Sequence, residues 1–166
     1  PAIGIFIYIS ASAAVCALGE SLASLGACTP AVAASIRQKE ELTDQYEDIL
    51  GTYLVRLSAL QTGGADSAEA AKLLKVIGDF ERIADHGVNL LESAEELRDK
   101  GLALSSQALE EYRVISGAVE EILGHALRAF LDNDLEAAGR VEPLEQVIDS
   151  LKEELRTRHT LRLQQG

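Results

Sequence analysis

The stretch Leu73 to Glu92, LLKVIGDFERIADHGVNLLE, constrains the fold most strongly. Leu73, Ile77, Ala84, Val88 and Leu91 recur at three- and four-residue steps or their sum, which lines one face of a helix with apolar side chains. Glu81 and Asp85 are four apart and stack one turn above the other. At about 100° per residue they lie roughly 40° and 80° round from Ile77, at the shoulder of the apolar face. Carboxylates there become half-buried once the helix packs, and a cation, a hydrogen-bond donor or a proton must offset their desolvation.

The same period organises the rest of the chain. A first helix is expected over about Ile5 to Ala27, apolar nearly all round and therefore buried on several sides. Thr29-Pro30 reads as a restart, with Thr as the cap and Pro at the first helical position. The second helix runs to about Leu60, with Ile36, Thr43, Tyr46, Leu50, Leu54 and Leu57 along one line. Gln61 to Ala65, with its paired glycines, is a turn, and Asp66 with Glu69 resembles a capping box that opens the third helix. That helix ends near Lys100-Gly101. Ser105 or Ser106 caps a fourth, striped by Tyr112, Ile115, Val119, Ile122, Ala126 and Phe130. Asp132-Asn133-Asp134 breaks it and caps a fifth, in which Pro143 predicts a kink or a second start. Glycine is frequent inside these helices and suggests places where helices approach closely. No segment alternates long enough to be a strand, so the fold class is all-α, an antiparallel helical bundle.

Charge narrows the partners. The net charge of the 166 residues is −12, which argues against nucleic acid and for metal cations or a basic surface. Cys16 and Cys28 form no CxxC and read as reduced thiols of an intracellular chain. Residues 1–19 carry no charge and are long enough to resemble a membrane span, but much of their apolarity is Ala, Gly and Ser, Glu20 follows at once, and no basic cluster flanks them. A core helix is the preferred reading and a membrane remnant the other. The chain lacks methionine and begins at Pro1, which suggests a piece of something longer.

The spacing Glu-x-x-x-Asp occurs at Glu40/Asp44, Glu81/Asp85, Glu95/Asp99 and Glu145/Asp149. Glu40/Asp44 and Glu145/Asp149 each lie about 60° and 100° round from the stripe residues Thr43 and Ile148, on the same side as the central pair. Glu95 and Asp99 stand in a last turn full of charges and read as solvated. The segments around Glu40 and Glu145 align at a constant offset of 105 residues, a hint of duplication. Two readings follow: an oxygen-ligand site between helices for a hard cation, or solvated charges flanking core stripes.

The segment Asp79 to Glu92, DFERIADHGVNLLE, resembles the signature of the PhoU family. Tyr46 to Ser58, YEDILGTYLVRLS, and Arg140 to Gly166 resemble a narrower group, the PhoU-type domains at the C-terminus of bacterial sodium-dependent phosphate cotransporters. The resemblance implies one three-helix repeat over residues 1–101 and a partial second repeat over 102–166 that lacks the last helix of the pattern. It also implies metal sites of Mg, Mn, Fe or Zn held by Glu40, Asp44, Glu81, Asp85, Glu145 and Asp149; His86 and Asn89 match the signature too, with His86 beyond Asp85 and further from the stripe. A missing helix would leave an apolar groove, and hence a homodimer.

The expected function is a non-enzymatic regulatory domain of phosphate transport or homeostasis, at the cytoplasmic face of the bacterial inner membrane, whose partner is its own transporter's membrane domain. A free-standing regulator of phosphate signalling is the nearest alternative. A di-metal carboxylate oxidase is the alternative of another class, but that architecture wants Glu-x-x-His, and His86, His125 and His159 all lack it. No Gly-rich phosphate loop or nucleophile context supports hydrolase or transferase chemistry. Arg156, Arg158, His159 and Arg162 read first as complements to a helix C-terminus and second as an anion contact.

Overall fold

The computed structural model describes residues 2–60 and 64–165. Five helices follow in order: α1 (Ala2–Ser24), α2 (Pro30–Leu60), α3 (Gly64–Asp99), α4 (Ser106–Asp132) and α5 (Leu135–Gln165). Among the described residues there is no strand. The expected all-α class is what the chain adopts. It divides into two compact units, Pro1–Ala103 and Leu104–Gly166.

The helix ends follow local chemistry. The Val32 N–H donates to Thr29 Oγ1 at 3.3 Å, so Thr29 caps α2 and Pro30 opens it without an unpaired donor. α3 closes in a Schellman motif: Leu102 N donates to Leu97 O at 2.9 Å and Gly101 N to Arg98 O at 3.0 Å. Gly101 holds the required left-handed conformation, φ 63°. Of the two serines proposed for α4, Ser105 is the cap, accepting from Ala108 N at 3.2 Å. Asn133 turns left-handed after α4, φ 53°, and Asp134 accepts from Ala137 N at 3.0 Å to start α5. The turn expected at Gln61 to Ala65 falls mainly on residues outside the described ones. α3 is already helical at Gly64, so Asp66 lies within its first turn. Pro143 sits inside an unbroken α5, so the second start is not taken.

In the first unit α1, α2 and α3 each pack on both others. Pairings fix the directions. Ser35 and Lys39 of α2 bond Glu20 of α1, while Tyr46 meets Phe6 at 5.5 Å between ring centroids, so α1 and α2 are antiparallel. Arg37 reaches Glu95 and Glu47 lies by Gly78, so α2 and α3 are antiparallel as well. Ile36, Leu54, Ile77 and Leu91 are fully buried, each worth about 1.5–3 kcal/mol of transfer free energy. Thr43 sits in the same core and satisfies its hydroxyl on Lys39 O at 2.8 Å.

α1 departs from expectation. Its inner face, including Ile7, Ala11, Ala14, Ala17 and Ser21, is buried, but Ile5, Tyr8 and Cys16 are exposed. Burial on several sides is not what the three-helix unit provides. The second unit is a hairpin of α4 and α5, in which Ala137 is the one buried hydrophobic among the described residues.

Candidate functional site

The carboxylates of α2 and α3 come together because the two helices run antiparallel and present matching shoulders. Glu40 and Glu81 are half-buried, whereas Asp44 and Asp85 point further out. Burial holds the Glu40 carboxyl above the usual carboxylate range, and the negative charges of Asp85, Asp44 and Glu41 raise it further. Burial likewise raises Glu81, with Asp85, Glu47 and Asp44 adding repulsion and a hydrogen bond shared with Asp85 acting the same way. Each helix thus feels the carboxylates of the other. The arrangement favours a proton or a cation in the cleft.

Glu47 is a member of this cluster that the spacing argument passed over. It stands seven residues after Glu40 and three after Asp44, on the same helical face. Its Oε1 lies 3.4 Å from where a side chain on Gly78 would begin, so the glycine gives it room. The heptad spacing from Glu40 was the available signal.

The donor set is all oxygen, which suits hard cations better than thiophilic ones. Among the described residues no three of His, Cys, Asp or Glu already stand close enough together to hold a metal ion. The chemistry of the donors fits a cation, while closure on one needs side-chain rotation of these partly exposed groups. His86, next to Asp85, and Asn89, one turn beyond it, are both exposed.

Glu145 and Asp149 lie on α5, in the other unit, and both are exposed. Asp149 Oδ1 accepts from Lys152 Nζ at 2.7 Å. Glu95, read from sequence as solvated, instead takes Arg37 in a two-pronged pair at 2.6 and 3.1 Å across α2 and α3. The hydrogen bond from Arg37 holds the Glu95 carboxyl below its usual range. Asp99 is paired with its neighbour Arg98.

The basic cluster near the end of α5 also has partners. Arg162 Nη1 lies 2.8 Å from both carboxylate oxygens of Glu111, and Arg158 lies 3.6 Å from it. Glu111 is buried on α4, so these arginines bind the hairpin together before they do anything else. Further along α4 His125 is buried, with Nδ1 facing Arg128 at 2.7 Å. Arginine can only donate, so that nitrogen accepts.

Comparison with known proteins bears on the first unit. The PhoU domain family matches residues 11–94, a segment that contains Glu40, Asp44, Glu81 and Asp85. The "Phosphate-specific transport system accessory protein PhoU homolog 1" of Thermotoga maritima is 27% identical over 94 residues, 57% of this chain and 40% of the relative. The chain therefore spans less than half the length of that curated relative. No solved structure matches it. With half of its length matched, the chain belongs to the PhoU domain family.

Proposed function

We propose that the chain is a regulatory, non-enzymatic domain of phosphate transport whose signal is metal binding between α2 and α3. Membership of the PhoU family and the phosphate-transport name of the Thermotoga relative support the process. The half-buried placing of Glu40 and Glu81 on the facing shoulders of α2 and α3, where Asp85 adds repulsion to Glu40 and Asp44 to Glu81, is the observation that supports the metal site. A divalent or iron-type cation, when bound, supplies charge that offsets this repulsion. The chain's own part is to hold α2 and α3 at fixed register, through the Arg37–Glu95 pair at one end and the buried Ile36, Leu54 and Ile77 along it. Glu145 and Asp149, exposed on α5, are proposed as a second, separate ligand pair.

The resemblance of Tyr46 to Ser58 and of Arg140 to Gly166 to cotransporter-attached domains favours a place at the cytoplasmic face of a bacterial inner membrane, beside a sodium/phosphate cotransporter. The test is phosphate uptake in the host carrying Glu81→Gln with Asp85→Asn. Uptake should lose its response to external phosphate while the protein level stays unchanged. A normal response in that strain contradicts the reading.

A further inference from the structure

The three-helix unit separates charge from apolar surface. α1 carries one Asp, Glu, Lys or Arg in 23 residues, Glu20, and that carboxylate is bonded to Lys39 and Ser35. Every other acidic residue of the unit lies on α2 or α3. The outward side of α1, running through Ile5, Tyr8, Ile9, Ser12, Val15, Cys16 and Gly19, is therefore uncharged over most of its length.

Bulky side chains gather at one end of that surface. Ile5 is 61% exposed, Phe6 41% and Tyr8 57%. Phe6 touches Tyr46 of α2, and three and seven residues on from Tyr46 come Ile49, 63% exposed, and Tyr53, 53% exposed. Ile49, Tyr53 and Arg56 line one shallow groove with Asp48 and Thr52. At about 100° per residue, Tyr46 and Tyr53 lie on the flank of α2 opposite Glu40 and Asp44. The patch and the carboxylate cluster thus leave the bundle in different directions.

We propose that this end of the unit docks on a lipid bilayer, with Ile5, Phe6, Tyr8, Ile49 and Tyr53 at the boundary between headgroups and acyl chains. Tyrosine suits that boundary because its ring is apolar and its hydroxyl polar. Arg56 has a stem long enough to lie along the patch while its guanidinium meets a lipid phosphate. A second copy of the chain fits less well: stable dimers bury about 20–30 residues a side, and this patch offers far fewer large ones. A basic protein partner fits less well too, because the groove sets one acid, Asp48, beside one base, Arg56, while the Glu40 and Asp44 carboxylates leave α2 on its opposite flank. The net charge of −12 sets the lipid preference: anionic headgroups repel the bundle, so neutral ones bind it better. The proposal does not rest on the metal site or on phosphate transport.

Flotation of the purified chain with phosphatidylcholine vesicles tests it. The chain should float with the vesicles, and replacing part of the lipid by phosphatidylglycerol should reduce the floating fraction. Ile5→Asp with Ile49→Asp should reduce flotation at least tenfold, whereas Leu135→Asp, exposed in the other unit, should leave it unchanged. Tyr8→Trp introduces the first tryptophan into a chain that has none, and its emission should shift to the blue on adding vesicles. This readout does not depend on a destabilising change. Failure of the unaltered chain to float, equal flotation of the double Asp variant, or an unshifted tryptophan each overturns the proposal. So does sedimentation of the chain as a dimer that the double Asp variant dissociates, since the patch would then be a contact between copies.

Discussion

The Ser21 hydroxyl lies 2.7 Å from the carbonyl oxygen of Gly87, and this contact marks a close approach of α1 and α3. It also lies 2.9 Å from its own helix at Ala17 O, so one buried proton serves two acceptors. A side chain on Gly87 would begin 3.1 Å from the Ala17 carbonyl carbon and the Leu18 nitrogen. Backbone cannot swing aside as a flexible side chain can.

Gly87→Ala should therefore destabilise the first unit by about 1–3 kcal/mol, even though alanine is the better helix former by about 1 kcal/mol. Gly117→Ala in α4, where nothing stands within 4 Å of the added carbon, should instead stabilise by up to about 1 kcal/mol. Urea midpoints of the two variants should move in opposite directions. Equal shifts would mean that the approach of α1 to Gly87 does not limit packing.

Ser21→Ala removes the shared donor and leaves the Gly87 carbonyl without that bond in a dry interface. A loss of about 1 kcal/mol is expected in the same urea titration. Ser24→Ala, whose hydroxyl bonds only within its own helix turn, should cost less.

Much of this fold is legible in the sequence, because helix ends are written in single residues. Thr29-Pro30, Gly101, Ser105 and Asp134 each act where their chemistry places them. The stripes of α2 and α3 were also legible, since the 3.6-residue period states which face is inside. What one helix meets on another was not. Glu95 looked solvated because its own helix surrounds it with charge, yet the register of α2 delivers Arg37 to it. Arg158 and Arg162 looked like helix-end charges until α4 supplied Glu111. For α1 the composition signalled apolarity on all sides without saying that two neighbours cover only one of them. The carboxylate pairs fall between these cases: their place on the shoulder was visible, and Glu47 joins only once α3 presents Gly78.

Acid should relieve the carboxylate cluster and weaken the Arg37–Glu95 pair. Glu40 and Glu81 have folded pKa values raised above the unfolded ones, so the folded chain holds more protons and these two groups lose stability for the fold as pH rises through that window. Glu95 is depressed, so its contribution is present above the unfolded value and lost as pH falls through the folded one. Glu40→Gln should raise the melting temperature at pH 7 and change it little near pH 4. Glu95→Gln should lower it at pH 7, by an amount equivalent to about 1 kcal/mol or less, and also change it little at low pH. The same sign for both variants at pH 7 would contradict this division.

The hairpin of α4 and α5 depends on Glu111. Removing a buried carboxylate that binds two arginines should cost about 1–3 kcal/mol, the range for a hydrogen-bonded charge whose partners can partly rehydrate. Glu111→Gln should recover part of the loss seen in Glu111→Ala. Helical circular dichroism followed through thermal unfolding would show it, and a Glu111→Ala melt unchanged from the parent would mean that the pair only decorates the hairpin.

The most direct test of the α2–α3 cluster is calorimetric melting with and without Mg²⁺, Mn²⁺, Fe²⁺ and Zn²⁺. A cation that binds only the folded chain raises the melting temperature by an amount that grows with its concentration. At least one of these ions should do so in the parent. In the melting of the first unit, Asp85→Asn should abolish that response while raising the metal-free melting temperature, because it removes repulsion from Glu40 and Glu81 at nearly constant shape. Glu142→Gln, on the exposed side of α5, should do neither. Identical metal responses in the Asp85 and Glu142 variants would contradict a site between α2 and α3.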